Sequence, residues 1–265
     1  MDELLLQYVN SGNALLLIGS GPSNEMKYPS WKELAEIAIN YIRKVRPDTN
    51  FSDINRAFQS KNFPLVFKYT KDIIGDEVLR KILDDNMTHR SNGNIYNYLA
   101  QWPIKNYLTT NYDDEILKSL SKIGESYIPY SNSNDHFALL NPSTRGAIFK
   151  LHGDFKSANG LILTSDDYDN ILKHRNWEYW RTKMTSIFQF EKIIIIGHSL
   201  YDPNIKHILK LAKKGTGFHQ PIVWISPDIN FTDCKEYIEK YRIHVLSYDN
   251  SDGSHNNLRK MIQTI

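Results

Sequence analysis

In this 265-residue chain, the segment Ala14 to Ser23 has the sequence ALLLIGSGPS and is the strongest single indication of the fold class. It begins as a short aliphatic run and passes directly into a glycine-containing loop, Gly19 to Ser23. An apolar run of this length is typical of a strand that is buried on both faces. The loop is typical of the sharp turn in which such a strand ends. The segment therefore predicts an inner strand of a sheet.

Five further apolar runs of the same kind follow, and helical patterns lie between most of them. Three residue pairs mark helix starts: Ser30 with Glu33, Thr164 with Asp167, and Asp202 with Pro203. Capping side chains accept hydrogen bonds from the first backbone N–H groups of a helix, and a proline at the first position has no N–H that needs a partner. The alternation predicts an α/β fold with a Rossmann-like, doubly wound, mainly parallel sheet of about six strands. Besides the first run, the predicted strands are Lys105 to Thr110, Ala147 to Leu151, Lys192 to Gly197, Pro221 to Ser226 and Arg242 to Ser247.

The stretch from about 51 to 100 departs from this alternation, because its pattern is helical and contains no convincing strand. We therefore predict a single domain over 1–265 with a helical insert over 51–100. A chain that is 41% hydrophobic and 12% aromatic can build a core of this size.

Charge and cysteine content limit the function. Lys and Arg number 32 against 30 Asp and Glu, a formal charge of +2, so we expect no direct nucleic-acid binding. The single cysteine, Cys234, cannot form an internal disulfide or a multi-cysteine zinc site, and we expect no metal. The longest aliphatic run, Ile193 to Ile196, is far shorter than the ~20 residues that span a bilayer. The start of the chain is acidic where a signal peptide is basic, so we expect a cytoplasmic protein that does not bind membranes.

Polar segments follow the first two predicted strands. The glycines of Gly19 to Ser23 allow backbone N–H groups to face a pyrophosphate. A ligand-free turn would have the same appearance, because Asn24 replaces the third glycine of the dinucleotide fingerprint. Asn111, in Thr109 to Asp113, can orient a ribose hydroxyl or a water molecule. Alternatively, Asn111 or Asp113 caps the next helix.

Two more polar segments follow later strands. His152, directly before Gly153, is suited to general-base catalysis, although a histidine here can also be purely structural. The segment Gly197 to Pro203 leads into a helix N-terminus that can hold a ribose or a phosphate, or that is simply capped. Because the carboxyl ends of the strands in a doubly wound sheet face one crevice, we expect all four segments at one site.

These motifs, in this order, resemble the sirtuin superfamily across nearly the whole chain. Most similar are the sirtuin-like, NAD-hydrolysing domains of bacterial anti-phage defence systems. The resemblance implies an NAD⁺ hydrolase that cleaves the nicotinamide–ribose bond to nicotinamide and ADP-ribose and depletes NAD⁺ on phage infection. It rests on Gly19-Ser20-Gly21-x-Ser23, Thr110-Asn111-x-Asp113, His152-Gly153, Gly197-x-Ser199-x-x-Asp202, Pro29-Ser30-Trp31-x-x-Leu34, Leu161 to Tyr168 and Tyr201-Asp202-Pro203.

The chain departs from the protein-deacylating sirtuins at three points. Thr110 stands where those enzymes have a Gln before the Asn, the segment Tyr28 to Trp31 lacks their Phe-Arg, and one cysteine cannot supply their four-cysteine zinc module. Acyl-lysine peptide turnover is therefore disfavoured, but an NAD-dependent protein deacylase stays an alternative. A second alternative is a non-catalytic subunit of a larger defence complex that binds NAD⁺ or ADP-ribose.

The resemblance also implies roles for single residues. Asn111 and His152 would be catalytic, with Asn111 holding a water or a ribose hydroxyl and His152 acting as the general base. Asp113 would orient Asn111 or touch the nicotinamide ribose. The remaining NAD-binding residues are Gly19, Ser20, Gly21 and Ser23 at the pyrophosphate, and Gly197, Ser199 and Asp202 toward the adenosine side.

Assembly is a further implication of the resemblance. It implies a homo-oligomer and a separate activator or partner protein, such as a sensor, a helicase or a phage protein. Trp177, Tyr179 and Trp180 could form an interface, but a place in the core explains them equally well.

Overall fold

Seven parallel strands form one sheet. The computed structural model describes residues 2–88, 94–133, 141–156, 160–200, 202–214, 220–229, 231–253 and 255–265. The strands are β1 (Leu15–Ile18), β2 (Asn106–Thr109), β3 (Ile128–Tyr130), β4 (Ala147–Lys150), β5 (Ile193–Ile196), β6 (Ile222–Pro227) and β7 (Ile243–Tyr248). Their order across the sheet is β3-β4-β2-β1-β5-β6-β7. The predicted Rossmann-like fold is confirmed, and the six predicted strands are all present.

The expected number of about six strands is one too low. The additional strand, β3, has three residues and lies at the edge of the sheet, paired only with β4. Its central residue is Pro129, which has no N–H for a ladder and is therefore tolerated in an edge strand. An exposed strand of this kind lacks the apolar run that marks the others.

Helices cover both faces of the sheet. In β1, Leu16 and Ile18 face one core, while Leu15 and Leu17 face the other. Strands buried on both sides are the reason for the aliphatic runs in the sequence. The described helices are Glu3–Asn10, Gly21–Glu25, Trp31–Val45, Ser52–Gln59, Phe63–Ile74, Asp76–Asn86, Tyr96–Leu99, Glu115–Lys122, Ser165–Lys173, Glu178–Phe190, Pro203–Lys214, Phe231–Tyr241 and Asn256–Gln263, with a 3₁₀ turn at Arg175–Trp177.

Four helices between β1 and β2 share a third core. The first, Trp31–Val45, begins with the predicted capping box, in which Ser30 and Glu33 bond each other's backbone. Its inner face packs against Phe67 and Leu83 of the following helices. Within 51–100 the described residues form the helices Ser52–Gln59, Phe63–Ile74, Asp76–Asn86 and Tyr96–Leu99, whereas 89–93 lie outside the described residues. The division of the chain into one domain and an insert stays a prediction.

The aromatic residues of the Glu178–Phe190 region separate into two groups. Trp180 is fully buried in the core, whereas Tyr179 is half exposed. Tyr179 therefore remains a predicted interface residue, whereas Trp180 has its place in the core. Among the described residues, no helix is both long and apolar enough to cross a membrane.

Candidate functional site

The four predicted segments meet at one end of the sheet. The register aligns Ile18 of β1 with Thr109 of β2 and with Ile196 of β5, so these strands end at the same level. The first strands that follow β1 in the chain, β2, β3 and β4, lie on one side of it, and β5, β6 and β7 lie on the other side. The loops after β1 and β5 therefore diverge, and a crevice opens between them, as expected at a topological switch point.

A cavity of about 560 Å³ occupies this crevice. Most of the predicted site residues line it, namely Ser20, Gly21, Asn111, His152, Gly197, Ser199 and Asp202. Ser23 and Asp113 line a second cavity of about 270 Å³ that adjoins the first at Ser20 and Asn111. Gly19 is buried beneath the loop. The expected convergence of the four segments is thus observed in the geometry.

The glycines let the two switch-point loops touch. A Cβ atom on Gly19 would lie 2.5 Å from the carbonyl oxygen of Gly197, and one on Gly21 would lie 2.6 Å from the Cα of Gly197. Gly197 itself has φ of +66°, a conformation that favours glycine, and a Cβ there would overlap Pro22. The N–H of Gly21 donates to the carbonyl of Gly197 at 2.9 Å. These glycines are therefore required for loop packing, whatever ligand the loop binds.

Asn111 follows β2 and is almost fully buried at the base of the cleft. Its Nδ2 donates to the carbonyl of Gly19 at 2.7 Å and to the hydroxyls of Ser23 and Tyr96, both at 3.1 Å. Both amide hydrogens are therefore used inside the protein. No hydrogen bond within the described part of the chain uses Oδ1, so Asn111 offers the cleft a hydrogen-bond acceptor.

A chain of hydroxyl groups fixes this orientation. Ser23 donates to Oδ2 of Asp113 at 2.7 Å, so the hydroxyl of Tyr96, 2.6 Å from Ser23 Oγ, must donate to Ser23. Both hydroxyl oxygens then accept from Asn111. Burial raises the pKa of Asp113, and the hydrogen bond from Ser23 opposes that rise. Asp113 thus contacts Asn111 through Ser23, which agrees with one of its two predicted roles. Ser23 lines the second cavity and not the main cleft.

His152 follows β4 and lies across the cleft beside Asp202. Its Nε2 is 3.1 Å from Oδ2 of Asp202, and the hydroxyl of Tyr168 donates to the same oxygen at 3.2 Å. Burial alone would raise the pKa of Asp202, but His152, His198 and a backbone N–H outweigh burial and lower that pKa to about 2. A carboxylate facing Nε2 favours the tautomer with the proton there, which leaves Nδ1 able to accept a proton.

Asp202 also caps the helix Pro203–Lys214. Its Oδ1 accepts from the N–H groups of Asn204 and Ile205 at 2.9 and 3.0 Å. The sequence left open whether this helix start holds a ribose or phosphate or is simply capped. The structure supports capping, because Asp202 already accepts from these two N–H donors. Tyr201 of the same motif lies outside the described residues.

His198 is a cleft residue that the sequence did not single out. Its Nδ1 accepts from the N–H of Leu200 at 3.0 Å, which places the ring proton on Nε2. Burial lowers the pKa of His198 to about 4, against the opposing effect of Asp202. His198 is therefore neutral near pH 7. Its position inside a polar motif was the only signal available in the sequence.

Lys150 joins the loop that carries Asn111 to the loop that carries His152. Its ammonium group, buried at the end of β4, lies 2.7 Å from carboxylate oxygens of both Asp114 and Asp154. It also donates to the carbonyl of Tyr112 at 2.8 Å. Burial alone would lower the pKa of Lys150, but the two carboxylates outweigh burial and raise it. A lysine inside an apolar strand was the signal in the sequence.

The far end of the cleft lies beyond β6 and β7 and is mostly aromatic. Trp224, Tyr237, Tyr248 and His255 line it, together with the polar residues Ser226 and Asp228. The indole of Trp224 donates to the carbonyl of His198 at 2.8 Å, which ties this end to the motif after β5. None of these side chains was predicted as a site residue, because they come from β6, β7 and the segments that follow these strands, which carry no motif of their own.

Within the described ranges, no three His, Cys, Asp or Glu side chains are grouped so that they could hold a metal ion. The expectation that no metal takes part stays a prediction.

The doubly wound parallel sheet, with a polar cleft at its switch point, defines a Rossmann-like α/β protein. Residues 105–246, more than half of the chain, match the SIR2-like domain family. The chain therefore belongs to that family, as the motifs predicted.

Curated relatives share a single name, NAD(+) hydrolase ThsA. The protein from Cytobacillus dafuensis is 28% identical over 77% of this chain and 39% of its own length. The one from Enterococcus faecium is 24% identical over 91% of this chain and 50% of its own length. The one from Bacillus cereus (strain MSX-D12) is 27% identical over 76% of this chain and 40% of its own length. The chain thus spans about two fifths to half of the length of these relatives.

Proposed function

We propose that this chain binds NAD⁺ in the cleft and hydrolyses the nicotinamide–ribose bond, which releases nicotinamide and ADP-ribose. The observation that carries the proposal is that Asn111 and His152 line one cavity, with a carboxylate oxygen of Asp202 3.1 Å from Nε2 of His152. The name of the curated relatives, NAD(+) hydrolase ThsA, supports the same reaction.

Cleavage of the nicotinamide–ribose bond requires departure of nicotinamide and attack of a water molecule on the ribose. Nicotinamide in NAD⁺ is a cationic pyridinium, so it takes the electrons of the breaking C–N bond and leaves as a neutral molecule without a general acid. The ribose becomes oxocarbenium-like, as in glycoside hydrolysis. Oδ1 of Asn111 accepts a hydrogen bond from the attacking water or from a ribose hydroxyl. His152 takes the proton of the water as its oxygen bonds to the anomeric carbon, and Asp202 stabilises the resulting imidazolium.

The other cleft residues serve binding in this proposal. The loop with Ser20 and Gly21, packed on Gly197, faces the pyrophosphate, while Ser199 and the aromatic end face the adenosine half. Ser23 and Asp113 act through Asn111, and Asp202 acts on His152. We therefore assign these three residues to the reactive end of the cleft.

The cellular setting follows from the resemblance. In this proposal the chain acts in the cytoplasm as a defence effector that depletes NAD⁺ on phage infection, is assembled as a homo-oligomer and is switched on by a separate partner. Loss of cellular NAD⁺ after infection, in cells with the wild-type chain and not with an Asn111→Ala variant, would support this setting. Constant NAD⁺ in both strains would contradict it.

The direct test measures binding and turnover together. Purified chain is incubated with NAD⁺, and nicotinamide is quantified by chromatography, while the melting temperature with and without NAD⁺ reports binding. Removing the general base in His152→Ala should slow release by about 10²–10⁴-fold, and Asn111→Ala should also lower it strongly. Asn40→Ala, at an exposed position that does not line the cleft, should not. Normal release by both cleft variants would refute the mechanism. Failure of NAD⁺ to bind the wild-type chain would refute the proposed substrate.

A further inference from the structure

The short helix Gly21–Glu25 carries groups that serve both binding and reaction in the proposed function, on which this inference rests. Its first residue, Gly21, donates its N–H to the carbonyl of Gly197 at 2.9 Å, and Ser23 accepts from Nδ2 of Asn111 at 3.1 Å. A helix of five residues is not stable by itself, so its position depends on contacts with its surroundings. A shift of this helix would therefore disturb the pyrophosphate loop and the orientation of Asn111 together.

An ion pair holds the C-terminal end of this helix. The carboxylate of its last residue, Glu25, contacts the guanidinium of Arg259 and is buried. Arg259 belongs to the helix Asn256–Gln263 and lies 234 residues further along the chain. Neither Glu25 nor Arg259 lines the main cleft or the second cavity. The pair can therefore affect a ligand only through the helix that it holds.

The helix Asn256–Gln263 is fixed by contacts that do not involve this pair. Leu258 and Ile262 are buried in the same core as one face of β1. The residue before the helix, His255, has its Nδ1 2.8 Å from the hydroxyl of the tyrosine that ends β7. Arg259 thus extends from an anchored helix toward a short one whose position depends on such contacts.

The geometry of the pair argues against a role in stability alone. Oε2 of Glu25 and Nε of Arg259 are buried and have no hydrogen-bond partner in the part of the chain that the structure describes. Burying such groups costs free energy that a single contact returns only in part. A carboxylate at the C-terminal end of a helix is also unfavourable beside the helix dipole. What the pair does supply is a directed contact that fixes the position of Glu25.

We propose that Arg259 is a positioning residue for the binding of NAD⁺. Through Glu25 it holds the helix Gly21–Glu25 where the loop with Ser20 and Gly21 can face the diphosphate. When the pair is broken, this helix moves more freely, and the affinity for the dinucleotide falls although every residue that lines the cleft is unchanged.

Four variants isolate this role. Arg259→Met removes the charge and keeps a long side chain, and Glu25→Gln breaks the pair from the other side and replaces Arg259→Met if that variant does not fold. Arg259→Lys keeps the charge, and because the pair uses a single guanidinium nitrogen, an ammonium group can take its place. The double variant Glu25→Met/Arg259→Met substitutes two apolar side chains, which commonly restores stability but provides no directed contact. Lys260→Met is the matched control, because Lys260 is exposed on the same helix and the variant removes the same charge.

The experiment measures two quantities at a temperature at which circular dichroism shows each variant to be folded. They are the hydrogen–deuterium exchange of the backbone amides over 21–28 and the dissociation constant for ADP-ribose. In Arg259→Met we expect exchange over 21–28 to be about 5–30-fold faster, as for a small loss of local stability, and ADP-ribose to bind about tenfold more weakly. Arg259→Lys and Lys260→Met should behave as the wild-type chain does. The double variant should regain the melting temperature but keep the fast exchange and the weak binding.

The outcomes separate this inference from the proposed function. A lower melting temperature in Arg259→Met, with unchanged exchange over 21–28 and unchanged affinity for ADP-ribose, would overturn the positioning role while NAD⁺ binding stands. Wild-type affinity in the double variant would also overturn it, because binding would then follow stability alone. Absence of any binding of NAD⁺ and ADP-ribose to the wild-type chain would refute the proposed function and, with it, the role of Arg259 in binding, even if exchange over 21–28 responds as expected.

Discussion

Replacing Lys150 by methionine should destabilise the chain and separate the two catalytic loops. Methionine fills nearly the same volume but leaves the carboxylates of Asp114 and Asp154 and the carbonyl of Tyr112 without their shared donor. Breaking a buried ion pair by removing one partner costs about 3–5 kcal/mol. The side chain of Asp114 is 34% exposed, so water can replace part of the lost interaction. We therefore expect a loss of about 3 kcal/mol, at the lower end of that range.

Urea unfolding followed by tryptophan fluorescence and circular dichroism would measure this loss. For a chain of this length, it corresponds to a melting temperature lower by about 6–12 °C. Lys32→Met is the matched control, since Lys32 forms only an exposed pair with Glu36 at 3.6 Å, and pairs of this kind contribute about 0.3–0.5 kcal/mol. A loss below about 1 kcal/mol in Lys150→Met would refute the view that Lys150 holds the loops together.

Three further predictions concern the cleft. Gly197→Ala should lose ADP-ribose binding and melt at a lower temperature, because the new Cβ overlaps Pro22 at a φ of +66°; unchanged binding would contradict the loop packing. His198 should make stability fall by up to about 3 kcal/mol as pH drops from 6.5 to 4, because the unfolded chain takes up its proton first. In His198→Asn this part of the slope in unfolding free energy should vanish, and an unchanged slope would contradict the assignment. Tyr96→Phe should lower the turnover number more than it raises KM, because the hydroxyl orients Asn111; a change in KM alone would contradict that role.

The strand ends could be predicted from the sequence because each carries a local signal. An apolar run followed by small or polar residues marks both the strand and the level at which it stops, and parallel strands bring those ends together. Asn111, His152 and Gly197 were identified in this way. For Gly19 and Gly21, the sequence indicated only that a ligand could approach the loop closely. Their packing against Gly197 could not be predicted, because Gly197 lies almost 180 residues further along the chain.

The supporting residues could not be predicted, because their partners are distant in the sequence. Tyr96 contacts Ser23 across 73 residues, and Trp224 contacts His198 across 26. Spacing along the chain carries no information about such contacts. A second role of a predicted residue can also be missed. The sequence marked Asp202 as a helix cap, but nothing in it indicated that the other carboxylate oxygen lies beside His152.

The proposed reaction is the attack of water on the nicotinamide ribose in the cleft that Asn111 and His152 line. Incubating the chain with NAD⁺ in ¹⁸O-labelled water, followed by mass spectrometry of the products, tests it most directly, with ADP-ribose in the same water as a control for exchange. We expect one nicotinamide for each ADP-ribose, with one solvent oxygen incorporated, and a strong loss of both products in His152→Ala. A cyclised product without solvent oxygen, or equal product formation by His152→Ala, would contradict it.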